Sequence, residues 1–359
     1  MISSETVAPS GRQHWMDLLR GTAIMLVIGH HLRLVQQIWD GSTPHEMVVL
    51  SEATAPFRMP VLLFASGLLL ARSLEKPTAR YLSGKARSLL WPWLIWSAVM
   101  LPIMGWAFGA DPLWWLNGIY TWFLVALFLY YVVGLVTRYI PPGWLALASI
   151  AGWTALPLLG VELDVSGNRP DKFLYYAVFF FAGAALRRVL AARTVPIAIL
   201  VPALLVAAAW AGYAARIDLE PAIPVISQLA VLLGVIAAIG VAQRLPRVRP
   251  VRALEWIGRN SIVPYLVHLP VIEILGRHID LAAGRATFAL YFLVTLGICV
   301  LAVLARPATG FLYALPGRAL SRARDQATDP KGDSEAETLV PGADLEPAAA
   351  QGVEPVLRG

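Results

Sequence analysis

The chain has 359 residues, of which 58% are hydrophobic and only 14% charged, and its mean hydropathy is +0.64. A soluble domain carries roughly 25% charged residues, so this composition excludes an ordinary water-soluble globule and places most of the chain in lipid. A single cysteine, Cys299, excludes an intramolecular disulfide and any cysteine-cluster metal site, and the six histidines show no ligand spacing. Neither a metal centre nor a permanently bound cofactor is therefore expected.

The net charge of +6 hides a division. From Asp325 to Gly359 eight acids accompany two bases, a net of −6; subtracting this from +6 leaves +12 on the body of the chain. The bases stand between apolar runs, where a lipid surface or a charged co-substrate is the expected partner and nucleic acid is not. The acidic tail, rich in Pro, Gly and Ala, cannot bury a core and reads as disordered. No cleavable signal peptide is expected, because Asp17, Arg20, His30, His31 and Arg33 interrupt the first apolar stretch.

A bilayer crossing needs about 20 apolar residues. In chain order, ten stretches qualify: 15–37, 56–73, 88–108, 118–138, 143–160, 172–188, 195–214, 222–243, 254–275 and 286–306. The fold class is thus an all-α integral membrane protein, a bundle of about ten transmembrane helices. Its parts are a cytoplasmic N-terminal segment (1–14), a membrane domain (15–316) and a cytoplasmic acidic tail (317–359). With the N-terminus inside, the inner connections and span ends hold 13 bases, among them Arg72, Lys85, Arg87 and Arg187, against five outside. Lys and Arg are retained on the cytoplasmic side, so both termini are expected there. No internal repeat is evident, which weighs against a transporter built from inverted repeats.

Ionisable residues at membrane depth are costly and are functional candidates by default. The first span is the richest, with Asp17, Arg20, His30 and His31. At about 100° per residue, eleven steps bring His31 to within roughly 20° of Arg20, whereas His30 lies about 80° away. Asp17 falls on the same stripe and is expected to pair with Arg20 at i,i+3. The rise of 1.5 Å per residue sets His31 roughly 16 Å beyond Arg20. This pattern suits a base at the far end of a charged site better than a histidine that only ties two helices together, the bland alternative. The second span carries Arg58 and Ser66-Gly67, the latter also readable as a small-residue packing site. The third is preceded by Lys85 and Arg87. The ninth carries Asn260, Ser261, Tyr265 and His268, with His268 at a depth comparable with His31. The tryptophans, such as Trp91, Trp93, Trp96, Trp114 and Trp115, read mostly as interfacial belt residues.

Five segments in order resemble the membrane-bound acyltransferase family 3: W-M-D-L-L-R-G-x-A-I (15–24) leading to His31, F-R-M-P-V-L-L-F-A-S-G (57–67), K-A-R-S-L-L-W-P-W-L-I-W (85–96), W-F-L-V-A-L-F (122–128) and I-G-R-N-S-I-V-P-Y-L-V-H (257–268). The resemblance implies a ten-helix enzyme of the plasma or inner membrane that uses cytoplasmic acyl-CoA, acetyl-CoA first of all, as co-substrate. It implies a hydroxyl acceptor on a glycan, a lipid-linked sugar or a small molecule. The family's arginine-x10-histidine pattern maps onto Arg20 and His31, and its basic segment onto Lys85 and Arg87. On this reading His31, Arg20 and Asp17 are catalytic. Arg20, Lys85, Arg87, Ser66, Asn260 and Ser261 meet the donor, and Arg58, His268 and Tyr265 meet the acceptor. Two departures stand out: Arg58 occupies a position where the family usually has His, and the segment before the third span is less basic than usual. The rival reading is a secondary transporter whose buried His and Arg relay protons or bind an anion. It has no need for cations at one end and a base at the other.

Overall fold

Lipid offers the backbone no hydrogen-bond partner, so a spanning chain must satisfy its own amides and carbonyls, which helices do. The computed structural model describes residues 13–39, 41–105, 115, 120–163, 171–217, 222–279 and 284–316, and every regular element among them is helical. The N-terminal residues 1–12, the acidic tail from 317, Trp114 and Arg169 lie outside the described residues.

Chain order runs α1 (His14–Trp39), α2 (His45–Gly67), the short α3 (Leu70–Leu74), α4 (Thr78–Lys85), a π-helical turn (Ala86–Leu90) and α5 (Trp91–Met104). It continues through α6 (Trp122–Val136), α7 (Pro142–Ala155), α8 (Lys172–Ala192), α9 (Ile197–Ile217), α10 (Ile226–Ala242), α11 (Arg249–Arg259), α12 (Ile262–His278) and α13 (Arg285–Leu304). Residues up to Leu315 form one compact unit.

Among the described residues, seven helical stretches can cross a membrane by length and composition, and α6 and α10 are shorter apolar helices. Two of the seven show why the medium must be lipid. The most apolar windows of α9 and α13 have mean hydropathies of 2.1 and 2.5, yet only 22% of each is buried inside the bundle. Leu205, Leu293 and Leu301 are each about two-thirds exposed. Water would penalise such faces at about 25 cal/mol per Å² of apolar surface, and hydrocarbon does not. This is a multi-pass membrane protein.

Each of the ten stretches read from the sequence overlaps one of these helices, with two informative differences. The second helix begins at His45, eleven residues before the expected 56, because its first turns carry the polar His45, Glu46 and Glu52; Pro56 and Pro60 sit inside it. Membrane helices tolerate such prolines where neighbouring groups take up the freed carbonyls. The stretch 254–275 is two helices, not one. Asn260 leaves helical geometry (φ −106°, ψ 16°) and closes α11, and Ser261 opens α12. The helix α11 is amphipathic: it buries Val251, Leu254, Glu255 and Gly258 at least in part and leaves Arg252 and Arg259 exposed. Glu255 is 1% exposed and receives a two-pronged bond from Arg247 at 3.1 and 2.7 Å, which holds the guanidinium above its ordinary pKa.

The helix α1 is central, packing against α2, α10, α11, α12 and α13. Two glycine crossings set its surroundings. A Cβ on Gly21 would stand 1.9 Å from the Leu254 carbonyl, and one on Gly258 would stand 1.8 Å from the Asp17 carbonyl. Likewise, Gly67 and Gly183 let α2 and α8 touch backbone to backbone at Phe180 and Phe64. Such close approach replaces the hydrophobic drive that lipid removes between helices.

Candidate active site

Because α1 is unbroken from His14 to Trp39, the eleven residues from Arg20 to His31 do span about 16 Å. At the Arg20 end the guanidinium donates to the Ala65 carbonyl at 3.1 Å. That carbonyl belongs to the last turn of α2, where helix carbonyls lack intrahelical partners and a cation complements the dipole. The next carbonyl, that of Ser66, accepts from the Tyr131 hydroxyl at 3.0 Å. Beyond them opens a cavity of about 440 Å³ whose wall includes Asp17, Arg20, Arg72 and Arg187. Three guanidinium groups from α1, α3 and α8 thus share one cavity of ligand size. Planar guanidiniums match phosphate oxygens two at a time.

The other end is built from paired imidazoles, with His30 and His31 partly exposed. His31 places Nδ1 3.0 Å from the Val27 carbonyl and 3.2 Å from Nε2 of His268 on α12. His268 is fully buried and places its own Nδ1 2.9 Å from the Pro264 carbonyl. His30 turns to α2 and meets the Ser51 hydroxyl at 2.8 Å. Arg58, 7% exposed, is near enough for its charge to act on His30 and His31.

A family model described as an acyltransferase domain, of the acyltransferase-3 type, matches residues 13–304. The chain belongs to the acyltransferase-3 family. Comparison with curated proteins and with solved structures found no match. The protein is therefore a membrane acyltransferase that transfers groups other than aminoacyl groups.

Within this acyltransferase the expected site residues separate into those that gather and those that do not. Asp17 is buried and shares the cavity wall with Arg20. Lys85 and Arg87 do not line that cavity. The Lys85 ammonium sits 3.3 Å from the centre of the Tyr131 ring, a cation–π contact, and the Arg87 carbonyl accepts from the Leu315 amide at 3.0 Å. Ser66 spends its hydroxyl on the Leu62 carbonyl at 2.8 Å, while Gly67 provides the helix crossing. Asn260 bonds the Trp256 carbonyl at 3.0 Å and, with Ser261, forms the turn between α11 and α12. Tyr265 is buried and donates its hydroxyl to the Tyr120 carbonyl. Arg58 is buried in α2 and does not reach out to an interface.

The acyltransferase's Arg72 and Arg187 were legible in the sequence only as two of the inner bases. Their convergence on Arg20 depends on α2, which packs against both α1 and α8. The shared stripe of Arg20 and His31 also needs qualification. Arg20 reaches α2, the neighbour of His30, whereas His31 meets α12. A long side chain crosses more of the helix surface than its Cβ direction suggests.

Proposed function

We propose that this enzyme moves an acyl group, acetyl first of all, from acyl-CoA to a hydroxyl of a glycan, a lipid-linked sugar or a small molecule, with His31 as general base. The observation that carries the reading is the polarity of α1, with a cavity of three arginines at one end and a carbonyl-held imidazole about 16 Å further along. Phosphates of the donor sit among Arg20, Arg72 and Arg187, and the pantetheine arm extends along α1 to present the thioester near His31. The excess of bases read from the sequence supports a cytoplasmic donor side, and we assign the enzyme to the plasma or inner membrane.

A carbonyl oxygen only accepts, so neutral His31 carries its proton on Nδ1, facing Val27, and keeps a lone pair on Nε2. A hydroxyl is a weak nucleophile at neutral pH. His31 Nε2 takes its proton as the oxygen attacks the thioester carbonyl. The C–O bond forms, the C–S bond breaks, and the CoA thiolate leaves with the proton that His31 returns. The products are the acyl ester and free CoA thiol.

Membranes incubated with radiolabelled acetyl-CoA test this directly. Label should enter a lipid, glycan or small molecule with wild-type protein. With His31→Gln, transfer should fall by at least about 100-fold while the protein stays folded and donor binding persists. Undiminished transfer by His31→Gln would remove the base.

A further inference from the structure

The proton on His31 Nδ1 has two acceptors, and the second is another histidine. We propose that His268 is a positioning residue that sets the tautomer and ring orientation of His31; the inference rests on the reading of His31 as the base.

The order of protons follows from the Pro264 carbonyl. His268 Nδ1 lies 2.9 Å from it, and a carbonyl can only accept, so neutral His268 is protonated on Nδ1. Its Nε2 is then a lone pair, aimed at His31 Nδ1 at 3.2 Å. His31 Nδ1 must carry the hydrogen, which it shares between His268 Nε2 and the Val27 carbonyl. That leaves only His31 Nε2 to accept a proton. The chain runs in one direction, from His31 Nδ1–H to His268 Nε2 and from His268 Nδ1–H to Pro264. The Val27 carbonyl alone cannot fix the plane of the His31 ring, since it lies one turn back on the same helix and also serves the backbone ladder. A second acceptor on a different helix does.

The surroundings hold His268 rigidly. Pro270 has no amide hydrogen, so the Leu266 carbonyl four residues earlier lacks its helical donor. The Tyr120 hydroxyl supplies one at 2.9 Å, and Tyr265 in turn donates to the Tyr120 carbonyl. These bonds press the Tyr120 ring against the imidazole, with centroids 5.7 Å apart and planes at 88°. His268 has no exposed surface, so its role is exercised through His31 and not on a substrate. In Ser-His-Asp sites a carboxylate orients the base through the same ring nitrogen. Here a neutral imidazole takes that place. Arg58 acts on the His31 ring from α2, and an added carboxylate at position 268 would tend to pair with that cation.

Glutamine and asparagine at position 268 separate this role from packing. The Gln amide oxygen reaches about as far as Nε2 and can accept from His31, whereas the Asn oxygen reaches only as far as Nδ1. Transfer from radiolabelled acetyl-CoA, apparent KM for acetyl-CoA and thermal unfolding in detergent are measured for His268→Gln, His268→Asn, His31→Gln and the double variant His31→Gln/His268→Asn. We expect His268→Gln to stay within about 10-fold of wild-type turnover and His268→Asn to lose roughly 100-fold, with KM changed less than about twofold. The double variant should be no slower than His31→Gln alone, because two residues acting through one proton are not additive. Equal turnover in the Gln and Asn variants, or deficits that multiply in the double variant, would overturn the role of His268. A folded His268→Gln protein that has lost turnover would do the same. Loss in His31→Gln with His268→Asn unaffected overturns only this inference, whereas full activity in His31→Gln overturns the base itself.

Discussion

The two ends of α1 are built by opposite means. Around Arg20 the walls are an open cavity, and Arg72 and Arg187 reach it from a five-residue helix and from the last turns of α8. Around partly exposed His31, the Nδ1 atoms of His31 and His268 each face a carbonyl of their own helix, and the two rings meet between α1 and α12. On the proposed function, the difference fits what each end would handle. A multiply charged ligand arriving from water is met by cations that stay partly hydrated, because fully burying several unpaired guanidiniums costs several kcal/mol apiece. A base must present one lone pair in one direction, and that precision comes from packing and from carbonyls that cannot donate.

The largest effect is expected at the crossing of Gly21 and Gly258, beside Arg20. Gly258→Val places branched carbons where the Asp17 carbonyl already lies 1.8 Å from a bare Cβ, with backbone and not a flexible side chain in the way. We expect little or no monodisperse protein after detergent extraction, as overpacking of backbone against backbone exceeds the usual 1–3 kcal/mol cost of an enlarged core residue. Gly84→Ala, which meets nothing within 4 Å, is the control and should extract normally.

A smaller effect should isolate the open end. Arg20→Ala removes one cavity cation and the bond to Ala65, and should weaken CoA binding about 10- to 100-fold, the range of a hydrogen bond to a charged group. Titration calorimetry on detergent-solubilised protein reads this, and unchanged affinity would take Arg20 out of the donor site. The smallest effects sharpen the contrast between cations that line the cavity and those that do not. Arg72→Gln and Arg187→Gln should each weaken CoA binding about 3- to 10-fold, more at low salt than at high, as expected for partly hydrated charges. Lys85→Gln should leave CoA affinity within about twofold and cost roughly 1 kcal/mol of stability through the lost Tyr131 contact. Equal losses for Lys85 and Arg187 would return Lys85 to the donor site.

Much of the fold was legible because lipid enforces simple rules. Length and apolarity located the helices, and the start of α2 was missed because His45, Glu46 and Glu52 make its first turns polar. The break at Asn260–Ser261 carried a weak sign, since Arg249, Arg252 and Arg259 crowd the segment before it, a charge density unsuited to a spanning helix. Of the site, Arg20 and His31 were legible as charges at membrane depth. The partners of each were not. His268 read as a second buried histidine at similar depth, with nothing to say that its lone pair would meet His31. The resemblance assigned Lys85 to the donor, and no local pattern signalled the Tyr131 ring 3.3 Å from its ammonium.

The sequence by itself determined that this chain lives in a membrane, that it is helical and that α1 carries a cluster of ionisable residues. Those properties are sums or periodicities over neighbouring residues, and neighbours along a chain stay neighbours in a helix. Only the tertiary structure decided which arginines share a cavity and which nitrogen of His31 is left bare. Both depend on helices far apart in sequence, brought to backbone contact by glycine crossings that no local pattern specifies.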